Sequence, residues 1–295
     1  MIKKCLFPAA GYGTRFLPAT KSMPKEMMPV VNKPLIEYGV EEAIAAGMNG
    51  MCIVTGRGKH SLIDHFDKNY ELEDQIKGTN KEELLDDIRG IIESAHFTYI
   101  RQSEMKGLGH AILTGRELVG DEPFAVVLAD DLCVNDGKGV LEQMVALYKQ
   151  FRCSIVAVEE VPAGETHKYG VIAGDQIRDD LYRVTNMVEK PAPGTEPSNL
   201  AIIGRYILTP DIFEYIENTQ PGKGGEIQIT DALLKQAQEG CVIAYKFKGK
   251  RFDCGSVEGY IDAINYCYEN VYLQDSKAEL NKKKTEKQKR LLAVT

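Results

Sequence analysis

The sequence predicts an α/β fold in which a mostly parallel central sheet is flanked by helices and followed by a smaller β-rich lobe. Apolar runs typical of strands alternate with amphipathic helical segments over the first half of the chain. From about residue 169 the pattern changes to short β runs, interrupted by a proline-containing loop at 191–197. The length of 295 residues suits two small domains or one large α/β unit.

The first half contains five predicted strands. They lie at 2–7, 50–55, 97–101, 124–129 and 154–158. One amphipathic helix is predicted from apolar residues that share a helical face, namely Leu84, Leu85, Ile88, Ile91 and Ile92. Another helix is expected to begin after Pro34 and to end near Gly47.

The second half is predicted to contain strands at 169–173, 183–188 and 200–208. A final helix is expected to begin at Ser256, whose hydroxyl can cap the amides ahead of it, and to bury four side chains: Tyr260, Ile264, Cys267 and Val271. We therefore expect one domain over residues 1–272, consisting of a first half at about 1–160, a lobe at about 161–255 and the helix at 256–272. A basic tail, expected to be solvated or frayed, follows at 273–295.

Composition and charge exclude several classes of protein. The formal net charge is −7, which argues against a nucleic-acid-binding protein. The longest apolar run, 124–129, is too short to cross a bilayer, and the amino-terminal residues do not resemble a secretory signal. The seven cysteines include no C-x-x-C pair, so we expect reduced and mostly buried thiols in a cytoplasmic protein.

Small residues and two cations follow the first predicted strand, in the stretch LFPAAGYGTRFLPATKSMPKEMMP. Ala10, Gly11 and Gly13 allow backbone amides to approach a ligand closely. Arg15 and Lys25 supply positive charge. Amides that orient a triphosphate and cations that stabilise its oxygens are what phosphoryl chemistry requires, so the stretch predicts a phosphate-binding loop. A purely structural turn is the alternative.

Two other nucleotide-binding motifs can be compared with this loop. A dinucleotide fingerprint needs a third glycine at position 16, where the chain has Phe16, whose ring would prevent close helix packing. A Walker A motif is not formed at Gly58 or at Gly222, where the required spacing is missing. These comparisons argue against a dehydrogenase and against a P-loop protein.

Acidic residues occur where a ligand of a parallel sheet would lie. Asp130 and Asp131 follow the predicted strand 124–129, and Asp253 is a second candidate near the end of the lobe. Carboxylates of this kind, together with substrate phosphates, bind Mg²⁺. A turn that merely ends the strand is the alternative for the first pair. The five histidines are scattered and predict neither a triad nor a metal site.

Ordered motifs then indicate a family. The run G-x-G-T-R followed by P-x-T and P-K-E resembles the sugar-1-phosphate nucleotidyltransferases, and the longer run PKEMMPVVNKPLIEY is similar to the bacterial UTP–glucose-1-phosphate uridylyltransferases among them. Further similar segments occur in the family's order: QSEMKGLGHA, LADD, YGV, EKP, GEIQITD and FDCGS. The resemblance covers about residues 1–272. It implies a Rossmann-like nucleotide-binding half and a sugar-binding lobe, as in nucleotide-diphospho-sugar transferases.

The resemblance also implies an activity. It is the Mg²⁺-dependent transfer of UMP from UTP to glucose 1-phosphate, which gives UDP-glucose and pyrophosphate by direct in-line displacement, in a homodimer or homotetramer. The implied catalytic residues are Arg15, Lys25 and Lys190, and the implied Mg²⁺ ligands are Asp130 and Asp253. The implied nucleotide contacts are Ala10, Gly11, Gly13, Glu26, Gln102, Gly107 and Asp131, and the implied sugar contacts are Gly170, Glu189 and Gly204.

Some alternatives stay open at this point. A thymidylyltransferase, or a transferase for another sugar, differs only in pocket details that one sequence does not reveal. A regulatory protein that binds nucleotides without catalysis is a second alternative. The glycines can serve turns or bulges instead of ligands. Pro191 is expected to hold Lys190 extended, although adjacent strand residues face opposite ways, so Glu189 and Lys190 reach one ligand only if the strand bends or ends there.

Overall fold

A nine-stranded mixed sheet forms the centre of the computed structural model, which describes residues 1–273. The strands in chain order are β1 (Lys4–Pro8), β2 (Pro29–Val30), β3 (Lys33–Pro34), β4 (Gly50–Thr55), β5 (His96–Arg101), β6 (Phe124–Val127), β7 (Asp131–Val134), β8 (Ser154–Glu160), β9 (Gly170–Arg178), β10 (Leu181–Glu189), β11 (Leu200–Leu208), β12 (Val242–Lys246) and β13 (Lys250–Asp253). The order in the large sheet is β5-β4-β1-β6-β11-β8-β12-β10-β9, while β2 pairs with β3 and β7 pairs with β13.

Helices cover both faces of this sheet. They are α1 (Leu35–Ala45), α2 (His60–His65), α3 (Tyr70–Ile76), α4 (Asp86–Ser94), α5 (Gly107–Thr114), α6 (Arg116–Val119), α7 (Val140–Phe151), α8 (Ile212–Glu217), α9 (Ile229–Glu239) and α10 (Val257–Cys267). Two large apolar clusters pack on the sheet, and a third joins α10 to β7 and β13. No helix within the described residues is long and apolar enough to span a membrane.

The expected mostly parallel sheet is wrong for the sheet as a whole. Strands β5, β4, β1 and β6 are parallel neighbours, as the alternating helices and strands predict. Strand β11, however, inserts antiparallel between β6 and β8, and β10 is antiparallel to both β9 and β12. A short turn joins β9 to β10, and a tight turn permits only antiparallel pairing. The β-rich part is therefore an extension of the same sheet.

Two element boundaries differ from the prediction. The strand expected at 124–129 ends at Val127, so Asp130 lies in a loop and Asp131 begins β7. Ser256 does cap α10, because its hydroxyl accepts a hydrogen bond from the Gly259 amide. Val271 is exposed instead of buried, since α10 is followed by a wider π-helical turn over Tyr268–Tyr272 that rotates the apolar face. The predicted basic tail lies outside the described residues.

The topology brings several loops to one edge of the sheet. Parallel strands end at the same edge, so the segments that follow β1, β4, β5 and β6 converge there. The ribbon formed by β7 and β13 lies beside the same edge, with Asp131 in register with Asp253. All seven cysteines are free, four of them buried, as the sequence predicts.

Candidate active site

The loop after β1 lines a cleft of about 380 Å³ at this edge of the sheet. Ala10, Gly11 and Gly13 all contribute to its wall. A Cβ atom on Gly11 would meet nothing within 4 Å, so this glycine leaves open space, whereas Gly13 has a positive φ of 64° that favours glycine. The loop continues into short 3₁₀ turns and not into an α-helix, and Phe16 packs on another aromatic ring. The loop thus lacks the strand–turn–helix geometry of a dinucleotide fingerprint.

Lys25 and Asp130 form an ion pair inside the cleft, with Nζ and Oδ2 separated by 2.6 Å. Loss of hydration opposes the charged form of each group, but the attraction between the two charges outweighs it. The pKa of Lys25 is therefore raised, and the pKa of Asp130 is lowered. Both groups are charged at neutral pH, which leaves a cation and an anion side by side at the point where polyanions would meet.

Gly255 brings the remaining charges to the same point. A Cβ atom built on it would lie 2.9 Å from Asp253 Oδ1, 3.2 Å from Asp130 Oδ2 and 3.2 Å from Arg15 Nη1. The Arg15 guanidinium also donates a hydrogen bond of 3.2 Å to the Gly255 carbonyl. Two carboxylates and a guanidinium that are more than a hundred residues apart in sequence thus surround one small residue. The sequence prediction did not include Gly255.

This donor set can be compared with the needs of a metal ion. Within residues 1–273 there is no group of three or more His, Cys, Asp or Glu side chains that could hold a metal by itself. The two carboxylates of Asp130 and Asp253 instead form a pair of hard oxygen donors. Mg²⁺ is commonly held by one or two carboxylates, with substrate phosphates and water as the remaining ligands. The residues present fit such an ion when a phosphorylated substrate supplies the other oxygens.

A second, buried ion pair lies behind the first. Lys59 Nζ is 2.7 Å from Glu26 Oε2, and the two side chains are 7% and 1% exposed. Burial lowers the pKa of Lys59, although Glu26 partly opposes the shift. Glu26 also lines the cleft, and its second oxygen, Oε1, is buried without a hydrogen-bond partner. A buried carboxylate oxygen without a partner is costly, so Oε1 is available to accept a ligand's N–H or O–H.

Gln102 lies at the far wall of the cleft, where β5 ends. Its side chain is buried, and its Nε2 lies 2.8 Å from Nδ1 of His110 on α5. Burial and the charge of Lys106 lower the pKa of His110, so the imidazole is neutral at pH 7 and Nδ1 can accept. This contact leaves the Gln102 carbonyl oxygen as an acceptor for a ligand. Sequence reasoning gave the histidines no role and so missed this support.

Gly107 begins α5 and lines the same wall. It has a positive φ of 87°, and a Cβ atom would lie 2.9 Å from Glu226 Cβ and 3.0 Å from the carbonyl oxygen of Ile227. The position therefore requires glycine for backbone conformation and for packing. The predicted nucleotide contact is compatible with its place in the wall.

Asp131 differs from its neighbour Asp130 in every contact. Its Oδ2 accepts a hydrogen bond of 2.5 Å from the Gly204 amide, and its Oδ1 lies 2.6 Å from Arg251 Nη2. Burial raises the pKa of Asp131, and the guanidinium only partly opposes the shift. Both oxygens are engaged by the protein itself. The structure therefore gives Asp131 a supporting position, because β7 starts at this residue and turns its side chain inward. Its contact with the nucleotide stays a prediction.

Arg251 is the centre of this support. Its guanidinium pairs with Asp131 and, at 2.5 Å, with Glu159, and it lies 3.8 Å from Asp253 Oδ2. The same group stacks over the ring of Tyr169, with 5.0 Å between Cζ and the ring centroid. The side chain is 6% exposed. One buried cation thus contacts both the carboxylate of Asp253 and the ring of Tyr169.

In the part of the chain predicted to bind the sugar, Glu189 ends β10 and Lys190 follows it. The prediction that Lys190 is extended is wrong: its φ is +46°, in the left-handed region. The chain turns there because β10 has ended and the Lys190 amide donates a hydrogen bond of 2.9 Å back to the Tyr169 carbonyl. The turn brings the two side chains together, with 3.4 Å between Lys190 Nζ and Glu189 Oε1. The expectation that the strand ends here is confirmed.

Glu189 is positioned by its neighbours. Its Oε2 accepts a hydrogen bond of 3.1 Å from the Thr230 hydroxyl. A Cβ atom on Gly170 would lie 3.1 Å from that same oxygen and 2.6 Å from Thr230 Cγ2. Gly170 therefore makes room for the carboxylate.

Close packing around Gly204 leaves no room for a side chain at this position. A Cβ atom there would lie 2.6 Å from Leu128 Cβ and 2.8 Å from Asp131 Oδ2. The pairing of β11 with β8 also shifts register between Ile202 and Tyr206. Gly204 thus lies where the strand pairing is irregular, as the alternative of a strand bulge expects, and its contact with a sugar stays a prediction.

Tyr169 joins the two sides. Its hydroxyl donates a hydrogen bond of 3.3 Å to Asp253 Oδ2, while its carbonyl accepts from Lys190. The missed residues of the site are Lys59, His110, Tyr169, Arg251 and Gly255. Three of them stand within two residues of a predicted one, which is a usable signal: Tyr169 before Gly170, and Arg251 and Gly255 on either side of Asp253. No comparable signal marks Lys59 or His110.

Comparisons with known proteins agree with this geometry. The sequence profile of the nucleotidyl transferase family matches residues 6–270. The chain is 75% identical over 273 residues to a UTP–glucose-1-phosphate uridylyltransferase of Pseudomonas aeruginosa, covering 92% of this chain and 98% of that protein. It is similar in structure to an apo UDP-glucose pyrophosphorylase, with a TM-score of 0.89 at 64% identity. It is also similar to a UDP-glucose pyrophosphorylase complexed with UDP-glucose, with a TM-score of 0.86 at 61% identity.

Both solved structures are aligned over 91% of this chain and 99% of their own length. The family resemblance stated from the sequence motifs is therefore confirmed. The chain belongs to the nucleotidyltransferase family and, within it, to the UTP–glucose-1-phosphate uridylyltransferases.

Proposed function

We propose that this protein makes UDP-glucose and pyrophosphate from UTP and glucose 1-phosphate. The observation that carries the proposal is the convergence of Arg15, Lys25, Asp130 and Asp253 around Gly255, beside a cleft lined by backbone of the glycine-rich loop. This arrangement suits two phosphorylated substrates that must be held together against their mutual repulsion. The similar proteins, a UTP–glucose-1-phosphate uridylyltransferase and a pyrophosphorylase complexed with UDP-glucose, support the same substrates.

The chemistry needs no nucleophile from the protein. The phosphate of glucose 1-phosphate is itself an anionic nucleophile, and it attacks the α-phosphorus of UTP while pyrophosphate leaves. Catalysis then consists of alignment and charge stabilisation. Arg15 and Lys25 would stabilise the triphosphate and the developing negative charge on the leaving pyrophosphate. Because Lys25 is already fixed by Asp130, its charge is oriented before the substrate arrives.

We further propose that Asp130 and Asp253 hold Mg²⁺. When bound, the ion would supply Lewis-acid stabilisation of phosphate oxygens. The protein's part is to hold both carboxylates in place and close together. Lys25 does so for Asp130, and Tyr169 and the Gly255 amide, at 3.0 Å, do so for Asp253 by donating hydrogen bonds to its two oxygens.

The remaining residues would orient the two substrates. Gln102 and the backbone at Ala10 and Gly11 complement the donor and acceptor edge of uracil, while Glu26 offers its unpartnered oxygen to the nucleoside. Glu189 would accept hydrogen bonds from glucose hydroxyls, and the half-exposed Lys190 would hold the attacking phosphate. Residues 1–160 would mainly bind the nucleotide and residues 161–255 the sugar.

We also propose that the protein works as a homodimer or homotetramer in the cytoplasm. Apolar side chains on α10 and the turn after it stay exposed, and they recur at helical spacing: Val257, Ile261, Tyr268 and Tyr272. An exposed apolar stripe of this kind favours contact with another protein surface. Sedimentation at several protein concentrations tests the assembly, since a purely monomeric species would contradict it.

A substrate panel tests the proposed reaction. The full-length protein is incubated with each of the four common nucleoside triphosphates and with several sugar 1-phosphates, and pyrophosphate release is measured with and without Mg²⁺. We expect release with UTP and glucose 1-phosphate only when Mg²⁺ is present. Faster release with dTTP, or equal release without a divalent ion, would contradict the proposal.

A further inference from the structure

A groove of about 550 Å³ lies outside the active-site cleft and shares none of its lining residues. We call it the ribbon groove. It is bounded by the loop 135–138 after β7, by α7, by the end of β12 at Tyr245, and by the turn 247–249 that leads into β13. Its volume lies in the range of about 300–1,000 Å³ that is typical of small-molecule sites.

The charges of the ribbon groove are mainly positive. Lys138, Arg178 and Lys248 line it, against the single carboxylate of Asp136. Arg178 is paired with Asp180 at 2.9 Å. Among the described residues, the ammonium groups of Lys138 and Lys248 have no ion-pair partner. Two unpaired lysines facing one groove, on a chain with a net charge of −7, would attract an anion.

The walls of the groove are fixed by one side chain. Gln143 accepts hydrogen bonds from the Tyr245 hydroxyl (2.8 Å) and the Lys248 amide (3.0 Å) through Oε1. Through Nε2 it donates to the carbonyls of Lys138 (2.8 Å) and Lys248 (2.9 Å). The amide of Asn135 also donates to the Lys248 carbonyl. The two loops that carry the lysines are therefore held in place without a ligand, which reduces the entropic cost of binding one.

The floor of the groove is apolar. Tyr245 and Leu147 both line it and are otherwise almost fully buried. An apolar floor under a basic rim suits a molecule with a flat or ring-shaped body and an anionic group. We propose that the ribbon groove binds a phosphorylated small molecule, with its phosphate between Lys138 and Lys248 and its sugar or base ring on Tyr245.

The position of the groove suggests what such a ligand would do. The groove lies at one end of the β7–β13 ribbon, where Lys250 pairs with Val134, and Asp253 pairs with Asp131 at the other end. The ribbon is only four residues long on each strand. A ligand bound between these loops would add contacts to the turn that leads into the strand carrying Asp253. Occupancy of the groove would therefore change turnover, a consequence that rests on the proposed function.

Calorimetric titration of the full-length protein tests the binding. The probes are inorganic phosphate and glucose 6-phosphate, added with UDP-glucose present to fill the active site. The double variant Lys138→Glu/Lys248→Glu is compared with the double control Lys149→Glu/Lys77→Glu, which makes the same charge change at two exposed positions outside the groove. We expect the sugar phosphate to bind more tightly than phosphate, with at least a tenfold loss in the double variant and less than a twofold change in the control.

Two results would overturn the site. One is the absence of binding with a dissociation constant below about 5 mM for either probe. The other is equal binding to the double variant, once its thermal unfolding midpoint shows that it is folded. The effect of the groove on turnover is tested by measuring pyrophosphate release at saturating substrate. Glucose 6-phosphate should change the rate of release at least twofold in the wild type and in the control, but not in the double variant. If the protein releases no pyrophosphate at all, the proposed function fails, while the titration still decides whether the groove binds the probes.

Discussion

On the nucleotide side of the proposed active site the lysines form short ion pairs, whereas on the proposed sugar side the lysine is half exposed and its ion pair is longer. Lys25 lies 2.6 Å from Asp130, and Lys59 lies 2.7 Å from Glu26 in a buried pair. The side chain of Lys190, in contrast, is 54% exposed, and its Nζ lies 3.4 Å from Glu189 Oε1, which is a longer contact than in the other two pairs. Exposed pairs of this kind contribute little to stability and exchange partners readily.

The difference indicates how the two substrates are handled. A triphosphate carries most of the charge, and a preorganised set of cations and amides binds it without reorganising during the reaction. Lys190 can leave Glu189 when a sugar phosphate arrives, so that both side chains gain a ligand partner. Tyr169 and Arg251 connect the two sides, because together they contact Asp253, Asp131 and the backbone of Lys190.

The largest effect is expected from replacing Arg251, which connects the two sides of the site. Arg251→Lys keeps the charge but loses the planar fork that bridges Asp131, Glu159 and Tyr169. Because carboxylates would stay buried without full compensation, we expect the free energy of unfolding to fall by about 3 kcal/mol. Urea unfolding followed by circular dichroism measures it. Arg116→Lys, at an exposed ion pair with Glu217, is the control, and its free energy of unfolding should change little. An equal loss of stability in both variants would contradict the connecting role of Arg251.

A loss of activity with the fold preserved is expected on the nucleotide side. Asp130→Asn removes one carboxylate of the proposed metal pair and the partner of Lys25. We expect kcat to fall about a hundredfold, which corresponds to ~3 kcal/mol of transition-state stabilisation, and the Mg²⁺ titration to shift to higher concentration. Asp121→Asn, at an exposed position, is the matched control. An unaltered Mg²⁺ titration curve would rule out a role of Asp130 in metal binding.

On the sugar side the expected effect is smaller. Lys190→Ala removes a cation from the attacking phosphate, so turnover should fall by at least about tenfold while the thermal unfolding midpoint stays the same. Lys168→Ala removes a similarly exposed lysine, one that is paired with Glu165, and should leave turnover unchanged. Identical steady-state kinetics for wild type and Lys190→Ala would contradict the role given to this lysine.

The smallest effect is expected on recognition of the uracil base. His110→Phe removes the acceptor for Gln102, and we expect the KM for UTP to rise about fivefold, as for a lost hydrogen bond of ~1 kcal/mol, with kcat unchanged. The contact between His110 and Gln102 also predicts a pH effect. Because burial and the charge of Lys106 lower the pKa of His110, the ring is neutral at pH 7 and accepts. As the pH falls through this lowered pKa the ring gains a proton, and the KM for UTP should rise. An unchanged KM for UTP in His110→Phe and at low pH would contradict this arrangement. His96→Phe, at an exposed position of β5, is the control and should leave the KM unchanged.

The sequence predicted the parallel part of the sheet and the helix starting at Ser256 because both depend on local signals: hydrophobic periodicity and a capping hydroxyl. It did not predict the antiparallel insertion of β11, since strand order across a sheet is decided by distant pairing and leaves no local pattern. The charged residues of the active site were found from motifs. Their protein contacts were not: Asp130 and Asp131 are adjacent in sequence, but only the structure shows that Lys25 pairs with Asp130 while Arg251 and the Gly204 amide engage Asp131.

The central claim is that Asp130 and Asp253 act on the same pair of reacting phosphates. A crystal structure of the full-length protein with UDP-glucose and Mg²⁺ tests it most directly. We expect an ion at about 2.1 Å from an oxygen of each aspartate and from the diphosphate, with Lys190 turned towards the sugar-side phosphate. A diphosphate that lies out of reach of either aspartate would contradict the account.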